Sequence, residues 1–320
     1  MMIVYNVQHG GVSEWLKVLD SKSSVANNYR GFESHLLRHL EINSLLNSLL
    51  YKLQLSVNVN AESFFLHKTM IQIKNLYKTF KSKTQAGNII DKVAVDNLTF
   101  NINAGEIFGI LGKNGAGKTT TIKMLTLQIK PTAGAIYFNG RSTDDNELEI
   151  KKIIGVVPQH INFDQDLTVG ENMELHARLH HLNRDERFKR INELLEYVEL
   201  KDVINENVRK LSGGMKRRLL IVRAMIHRPK ILFLDEPTVA LDPQVRRRIW
   251  SLIQQLKSNG VTIVLTTHYI EEAEQLCSRT AFLKRGKLIA LDTPNNLCKI
   301  NNVLTLEDVF IKLTGDNLNV

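Results

Sequence analysis

The sequence predicts an α/β fold with a parallel core sheet, an antiparallel β edge and a helical insertion. Three observations predict it. The apolar runs within "IFGILG" and "KILFLDEP" are short and continuous, as in strands covered on both faces. The stretches "IQIKNLYKTF" and "VAVDNLTFNINAGE" alternate apolar and polar residues, as in half-buried strands. From about Asp164 to Pro229, apolar residues recur at helical spacing in a charged background.

The elements follow in order from Met70. "IQIKNLYKTF" is a strand, and "KSKTQAGNIIDK" is a polar loop or hairpin excursion. "VAVDNLTFNINAGE" is the next strand, with a turn at Asn103-Ala104-Gly105. "IFGILG" leads into a glycine loop and the helix "KTTTIKMLTL". After the helical insertion, "KILFLDEP" and "GVTIVLTTH" are strands separated by the helix "PQVRRRIWSLIQQLKSNG". "RTAFLKRGKLIAL" is a hairpin turning at Arg285-Gly286. Thr305 and Asp308 fit a capping box before a last apolar helix.

Composition narrows the class. The 320 residues are 43% hydrophobic and 23% charged, an ordinary globular balance. No apolar run is long enough to cross a bilayer; the nearest, Ile42 to Val57, is short and broken by Asn, Ser and Lys. The start lacks the pattern of a secretory signal. Cys277 and Cys298 make no metal or disulfide pattern and read as buried or incidental thiols. The formal charge of +9 suits nucleic acid, an anionic membrane surface or nucleotide phosphates. The clusters Lys216-Arg217-Arg218 and Arg246-Arg247-Arg248 fall inside helical patterns and read as solvated helix faces. With no RNP, KH or zinc-finger pattern, no nucleic-acid partner is expected.

The glycine loop carries chemistry. Gly112-Lys113-Asn114-Gly115-Ala116-Gly117-Lys118-Thr119 matches G-x-x-x-x-G-K-[ST], between an apolar strand and a helix. Glycines let backbone N–H groups turn inward around phosphate oxygens, and the helix start adds positive potential. Lys118 is then placed for the β- and γ-phosphates and Thr119 for Mg²⁺. "ILFLDEP" ends in Asp235 and Glu236, at the carboxyl end of a strand where ligands collect. Asp235 is expected to help hold Mg²⁺, and Glu236 to activate a water.

Leu211 to Arg218, "LSGGMKRR", resembles the signature of ATP-binding cassette (ABC) ATPases, in the order that family requires. "VVPQH" supplies Gln159 at the Q-loop position, "ALDP" Asp242 at the D-loop and "TTHYIEEAE" His268 at the switch loop. The resemblance spans roughly Ile71 to Gly315 and implies a P-loop NTPase fold of ABC type. It implies an ATPase using ATP and Mg²⁺, with two domains closing head to tail on two ATP molecules. Gly112, Asn114, Gly115, Ala116, Gly117, Lys118, Thr119 and Thr120 would hold ATP, with Phe80 (or else Tyr77) stacked on adenine. Ser212, Gly213, Gly214 and Asp242 would serve the nucleotide across the dimer. Glu236, His268, Gln159 and Lys118 would be catalytic, and Thr119, Gln159 and Asp235 would surround the metal. Phe80 stands where Tyr is frequent, Ala240 where Gly is and Met215 where Gln is, and Met cannot make the hydrogen bonds of Gln.

"LSGGMKRRL", "EPTVALDPQ" and "LTTHYIEEAEQLC" resemble ATPases of ABC-2-type exporters, and "TLEDVFIKLTGD" resembles the tail of drug-resistance exporter ATPases. The resemblance implies a homodimer of ATPase domains at the cytoplasmic face of the membrane, driving an ABC-2-type transmembrane permease. Importer ATPases and soluble non-transport ABC ATPases are the alternatives. Cargo classes implied are drugs, polysaccharides, lipids or haem-related compounds.

Residues 1–69 fit none of this. Leu19–Ser24 can be back-translated into a paired stem around an anticodon-sized loop, and Arg30–His35 into a stem and loop like a tRNA T-arm. This segment is expected to be a translated tRNA gene and spacer, with the ATPase domain at 70–315, its helical subdomain at about 160–229, and a tail at 316–320.

Overall fold

The computed structural model describes residues 69–83 and 88–315. The expected extension 1–69 lies outside the described residues apart from Thr69, as does the tail 316–320.

Strand β1 (Thr69–Lys83) and strand β2 (Ile89–Asn103) pair antiparallel, with register shifts that follow their irregular alternation. Strand β3 (Ile107–Leu111) is buried at every residue and runs into the glycine loop and helix α1 (Lys118–Leu125). Strands β4 (Ala133–Phe138) and β5 (Arg141–Ser142), helix α2 (Glu147–Ile153) and strand β6 (Ile154–Val157) follow. The helical insertion holds α3 (Val169–Leu179), α4 (Arg184–Tyr197) and α5 (Gly213–Ala224). Then come β7 (Ile231–Asp235), α6 (Pro243–Ser258), β8 (Thr262–Thr267) and α7 (Ile270–Leu276). The chain finishes with β9 (Arg279–Lys284), β10 (Lys287–Asp292), α8 (Pro294–Asn301) and α9 (Leu306–Thr314).

Two sheets result. A six-stranded sheet has the order β10-β9-β3-β8-β7-β6. All its pairs are parallel except the edge hairpin β9–β10. A four-stranded antiparallel sheet has the order β2-β1-β4-β5. The antiparallel part is thus more than an edge; β4 supplies the pairing that β1 and β2 need to form a sheet of their own. One core lies between the parallel sheet and the helices, including Met173, Leu220, Leu234, Ile253 and Leu265. The other lies between the two sheets, including Ile73, Phe100, Phe108, Ile122 and Val264. Burying each such side chain contributes roughly 1.5–3 kcal/mol.

Local sequence sets the helix starts. Thr168 caps α3, accepting from Glu171 N, while the Glu171 carboxylate accepts from Thr168 N. Asn183 caps α4 and Ser212 caps α5. Asp242 caps α6 with Pro243 behind it, and the apolar stripe Ile249, Trp250, Ile253 and Leu256 faces inward. Thr305 caps α9 by accepting from Asp308 N at 3.1 Å, but the Asp308 carboxylate takes the Thr305 hydroxyl rather than a backbone N–H.

The basic clusters differ from expectation in part: Arg247 and Arg248 are exposed, but Arg217, Arg218 and Arg246 are not. Arg217 is 4% exposed because its guanidinium has backbone carbonyls to satisfy. Arg218 donates to Val198 O, and Arg246 lies over the Tyr269 ring at 4.5 Å. These three side chains make contacts between elements rather than a solvated face.

Candidate functional site

Four neighbouring parallel strands deliver the expected residues to one end of the sheet. β3 ends at the glycine loop, β6 before Gln159, β7 at Asp235 and Glu236, and β8 before His268. Carboxyl ends of parallel strands are where such folds place ligands.

The glycine loop is held open by backbone shape. Gly115 and Gly117 have φ of 82° and 105°, which L side chains rarely adopt. A Cβ on Gly117 would also stand 2.6 Å from Ala94 O. The β9–β10 turn supports the loop from behind. Gly286 N donates to Ala116 O at 2.9 Å, and Gly286 O accepts from Asp96 N at 2.9 Å. Arg285 and Gly286 both have positive φ, as a two-residue hairpin turn needs.

Lys118 is buried at the head of α1, donating to Gly112 O at 2.8 Å and lying 3.4 Å from Glu236 Oε1. Burial pulls its pKa below the ordinary lysine value, and Glu236 opposes that pull. Thr119 Oγ1 donates to Asp235 Oδ1 at 3.3 Å.

Glu236 gathers the rest. Its Oε2 accepts from Gln159 Nε2 at 2.9 Å, and its Oε1 stands 3.4 Å from His268 Nδ1. The latter contact is long, and among the described residues Nδ1 is a buried nitrogen with no hydrogen-bond partner. His268, and then Lys118, hold the Glu236 carboxyl below the usual glutamate range, while burial pushes it up. Its backbone sits at φ 48°. The N–H of Glu236 is fixed by Thr266 O and Thr266 Oγ1, at 3.1 and 3.0 Å.

A cleft of about 490 Å³ is lined by Phe80, Asn114, Gly117, Lys118, Gln159 and Glu236, with Thr119 and Thr120 beside them. Phe80 is 43% exposed, so its ring is open to the cleft and not committed to a core. Lys78 Nζ lies 5.3 Å from that ring centre. Tyr77 pairs with Ala133 and is not among the lining residues.

Some expected residues are not brought there. Ser212, Gly213, Gly214 and Asp242 do not line the cleft. Ser212 and Gly213 are exposed at the start of α5. The Asp242 carboxylate accepts from Gln244 N and Val245 N, both at 3.0 Å, at the start of α6.

Three residues escaped the sequence reading. Thr266 Oγ1 donates to Asp235 Oδ1 at 2.5 Å, and the Thr-Thr pair before His268 is its only local sign. Arg217 reaches the Pro158 and Gln159 carbonyls. Glu272 is buried, with its pKa raised by that burial, and accepts from Thr238 Oγ1 at 2.8 Å and Trp250 Nε1 at 3.0 Å.

Comparison with known proteins adds independent weight. The family model described as ABC transporter matches residues 95–239. Nod factor export ATP-binding protein I of Burkholderia thailandensis is 44% identical over 207 residues, covering 65% of this chain and 68% of that protein. Linearmycin resistance ATP-binding protein LnrL of Bacillus subtilis is 37% identical over 250 residues, covering 78% and 76%. Among solved structures, an ATP-binding subunit of an ABC transporter superposes with a TM-score of 0.65 at 27% identity, over 77% of this chain and 100% of that one. A dimeric ATP-binding cassette in a post-hydrolysis state, bound to ADP and Pi, superposes with a TM-score of 0.62 at 34% identity, over 70% and 98%.

Proposed function

Because the chain belongs to the ABC transporter family, as an ATP-binding and ATP-hydrolysing subunit, we propose that it powers an ABC-2-type exporter by pairing head to tail with a second copy around two ATP molecules. The observation that carries this reading is that two groups of expected ATP-binding residues lie apart in one chain. Phe80, the glycine loop and Glu236 line the cleft, while Ser212 and Gly213 of the same chain lie exposed elsewhere. The positive potential at the start of their helix suits an anion, and a second copy's ATP would supply one. The relatives' names, one an export protein and one a resistance protein, support the export direction. A permease in the membrane would then choose the cargo, with this chain docked at its cytoplasmic face.

In the proposed reaction, Phe80 stacks on the base and the amides of the glycine loop surround the phosphates. Lys118 meets the β- and γ-phosphate oxygens. The Glu236 carboxylate takes a proton from water as the water oxygen bonds to the γ-phosphorus and the bond to the β-phosphate oxygen breaks. His268 steadies the γ-phosphate, and Gln159 aligns Glu236. Thr119 Oγ1 and Asp235 Oδ1, 3.3 Å apart, are facing oxygen donors of the hard type that suits Mg²⁺. With Gln159 they would hold that ion, which when bound neutralises charge on the phosphate oxygens.

Light scattering of the Glu236→Gln chain with and without ATP tests the reading. ATP should convert monomer to dimer, and a chain that stays monomeric when saturated with ATP contradicts it.

A further inference from the structure

Arg217 lies one turn into α5, on the same helix face as Gly213 and Gly214. Its Nη1 donates to Pro158 O at 3.0 Å and its Nη2 to Gln159 O at 2.8 Å. The Gln159 side chain in turn donates to Glu236. On the neighbouring helix, Val245 presses on Gly214: a Cβ there would stand 2.6 Å from Val245 Cγ1. The first turns of α5 and α6 therefore touch, while Arg217 links α5 to the end of β6. Holding a guanidinium in this buried place is costly. Burial lowers its pKa, and Glu272 and Asp235 only partly offset that. An apolar side chain would fill the space without the desolvation cost, but it could not fix two adjacent carbonyls with one planar fork.

We propose that Arg217 is a positioning residue for ATP hydrolysis. It ties Gln159, and through Gln159 the Glu236 carboxylate, to the helix whose first turn faces the partner's ATP. The inference rests on the dimer reading above. A displacement of α5 when Ser212–Gly214 engage the partner's nucleotide reaches this chain's own Glu236 through the guanidinium.

The test is a double-mutant cycle on the full chain, combining Arg217→Met and Arg217→Lys with Gln159→Ala. Steady-state hydrolysis and binding of a fluorescent ATP analogue are both measured. Arg217→Met should lower kcat about tenfold, as small misplacements near the chemistry do. It should leave KM and the analogue Kd within about twofold. Arg217→Lys should recover part of the loss. Adding Arg217→Met to Gln159→Ala should cost nothing further. Unchanged kcat, equal losses in kcat and analogue affinity, or full additivity with Gln159→Ala would each overturn the proposal. If Arg217→Met does not fold, the cycle with Arg217→Lys decides. Failure of the dimer reading shows separately, as absence of an ATP-driven dimer in Glu236→Gln.

Discussion

Gln159 Nε2 donates to Glu236 Oε2 at 2.9 Å, joining residues 77 positions apart at the ends of adjacent strands. The bond leaves Oε1 facing Lys118 and His268, each at 3.4 Å. Glu236 is in the left-handed region at φ 48°, a strained backbone that the Thr266 contacts hold in place. A carboxylate fixed on both oxygens and at its backbone is prepared to orient one water.

Glu236→Gln should therefore bind ATP with native affinity and lose hydrolysis by roughly 10²–10⁴-fold, the range for removal of a positioned base. Phosphate release and equilibrium dialysis measure the two sides. Hydrolysis at the native rate would show that another group activates the water.

The pH profile of kcat should carry the mark of His268. A base works above its folded pKa and fails as pH falls through it. His268 and Lys118 hold the Glu236 pKa below the usual 4.5, so the carboxylate persists into acid, and the stability that its pairing contributes is lost as pH falls from the usual 4.5 through that lowered value. His268→Ala removes the first of these causes, so the acid limb should move to higher pH. An unmoved limb in that variant separates His268 from the titration of Glu236.

Ser212→Arg should abolish turnover without harming ATP binding by a single subunit, because Ser212 does not line its own cleft. Lys118→Ala is the comparison, since Lys118 does line it. A fluorescent ATP analogue reads binding by the monomer. Equal loss in the two variants would place the signature in the chain's own site.

Acid should weaken the fold through a stack of histidines. The His180 and His227 rings stack at 3.8 Å, with His176 edge-on to His180 at 4.9 Å. Burial lowers His176 to about 3 and His180 to about 4, and lowers His227 also. Below the ordinary value of 6.5 the unfolded chain takes up protons that the native stack refuses, so stability declines from there toward about 4. His180→Phe keeps a ring in the stack and removes one such proton. Its Tm should fall less than that of the native chain between about pH 7 and about pH 5, and an equal fall in both would exonerate the stack.

The sequence by itself determined the glycine loop, the Asp235-Glu236 strand end, the Arg285-Gly286 turn and the helix start at Thr305. Each depends on residues within a few positions of one another: an apolar run, a glycine where φ must be positive, a short polar side chain at a helix start. Only the tertiary structure decided that β1, β2 and β4 form a sheet of their own, that the Arg285–Gly286 turn braces the glycine loop, and that Thr266 stands between β7 and β3 to fix Asp235 and Glu236. It also decided that Arg217, in what reads locally as a solvated basic run, is buried on the carbonyls of Pro158 and Gln159. The physical reason is range. Helical and strand periodicity records which face of an element is apolar, whereas a hydrogen bond between residues 58 positions apart depends on strand order, which no local pattern carries.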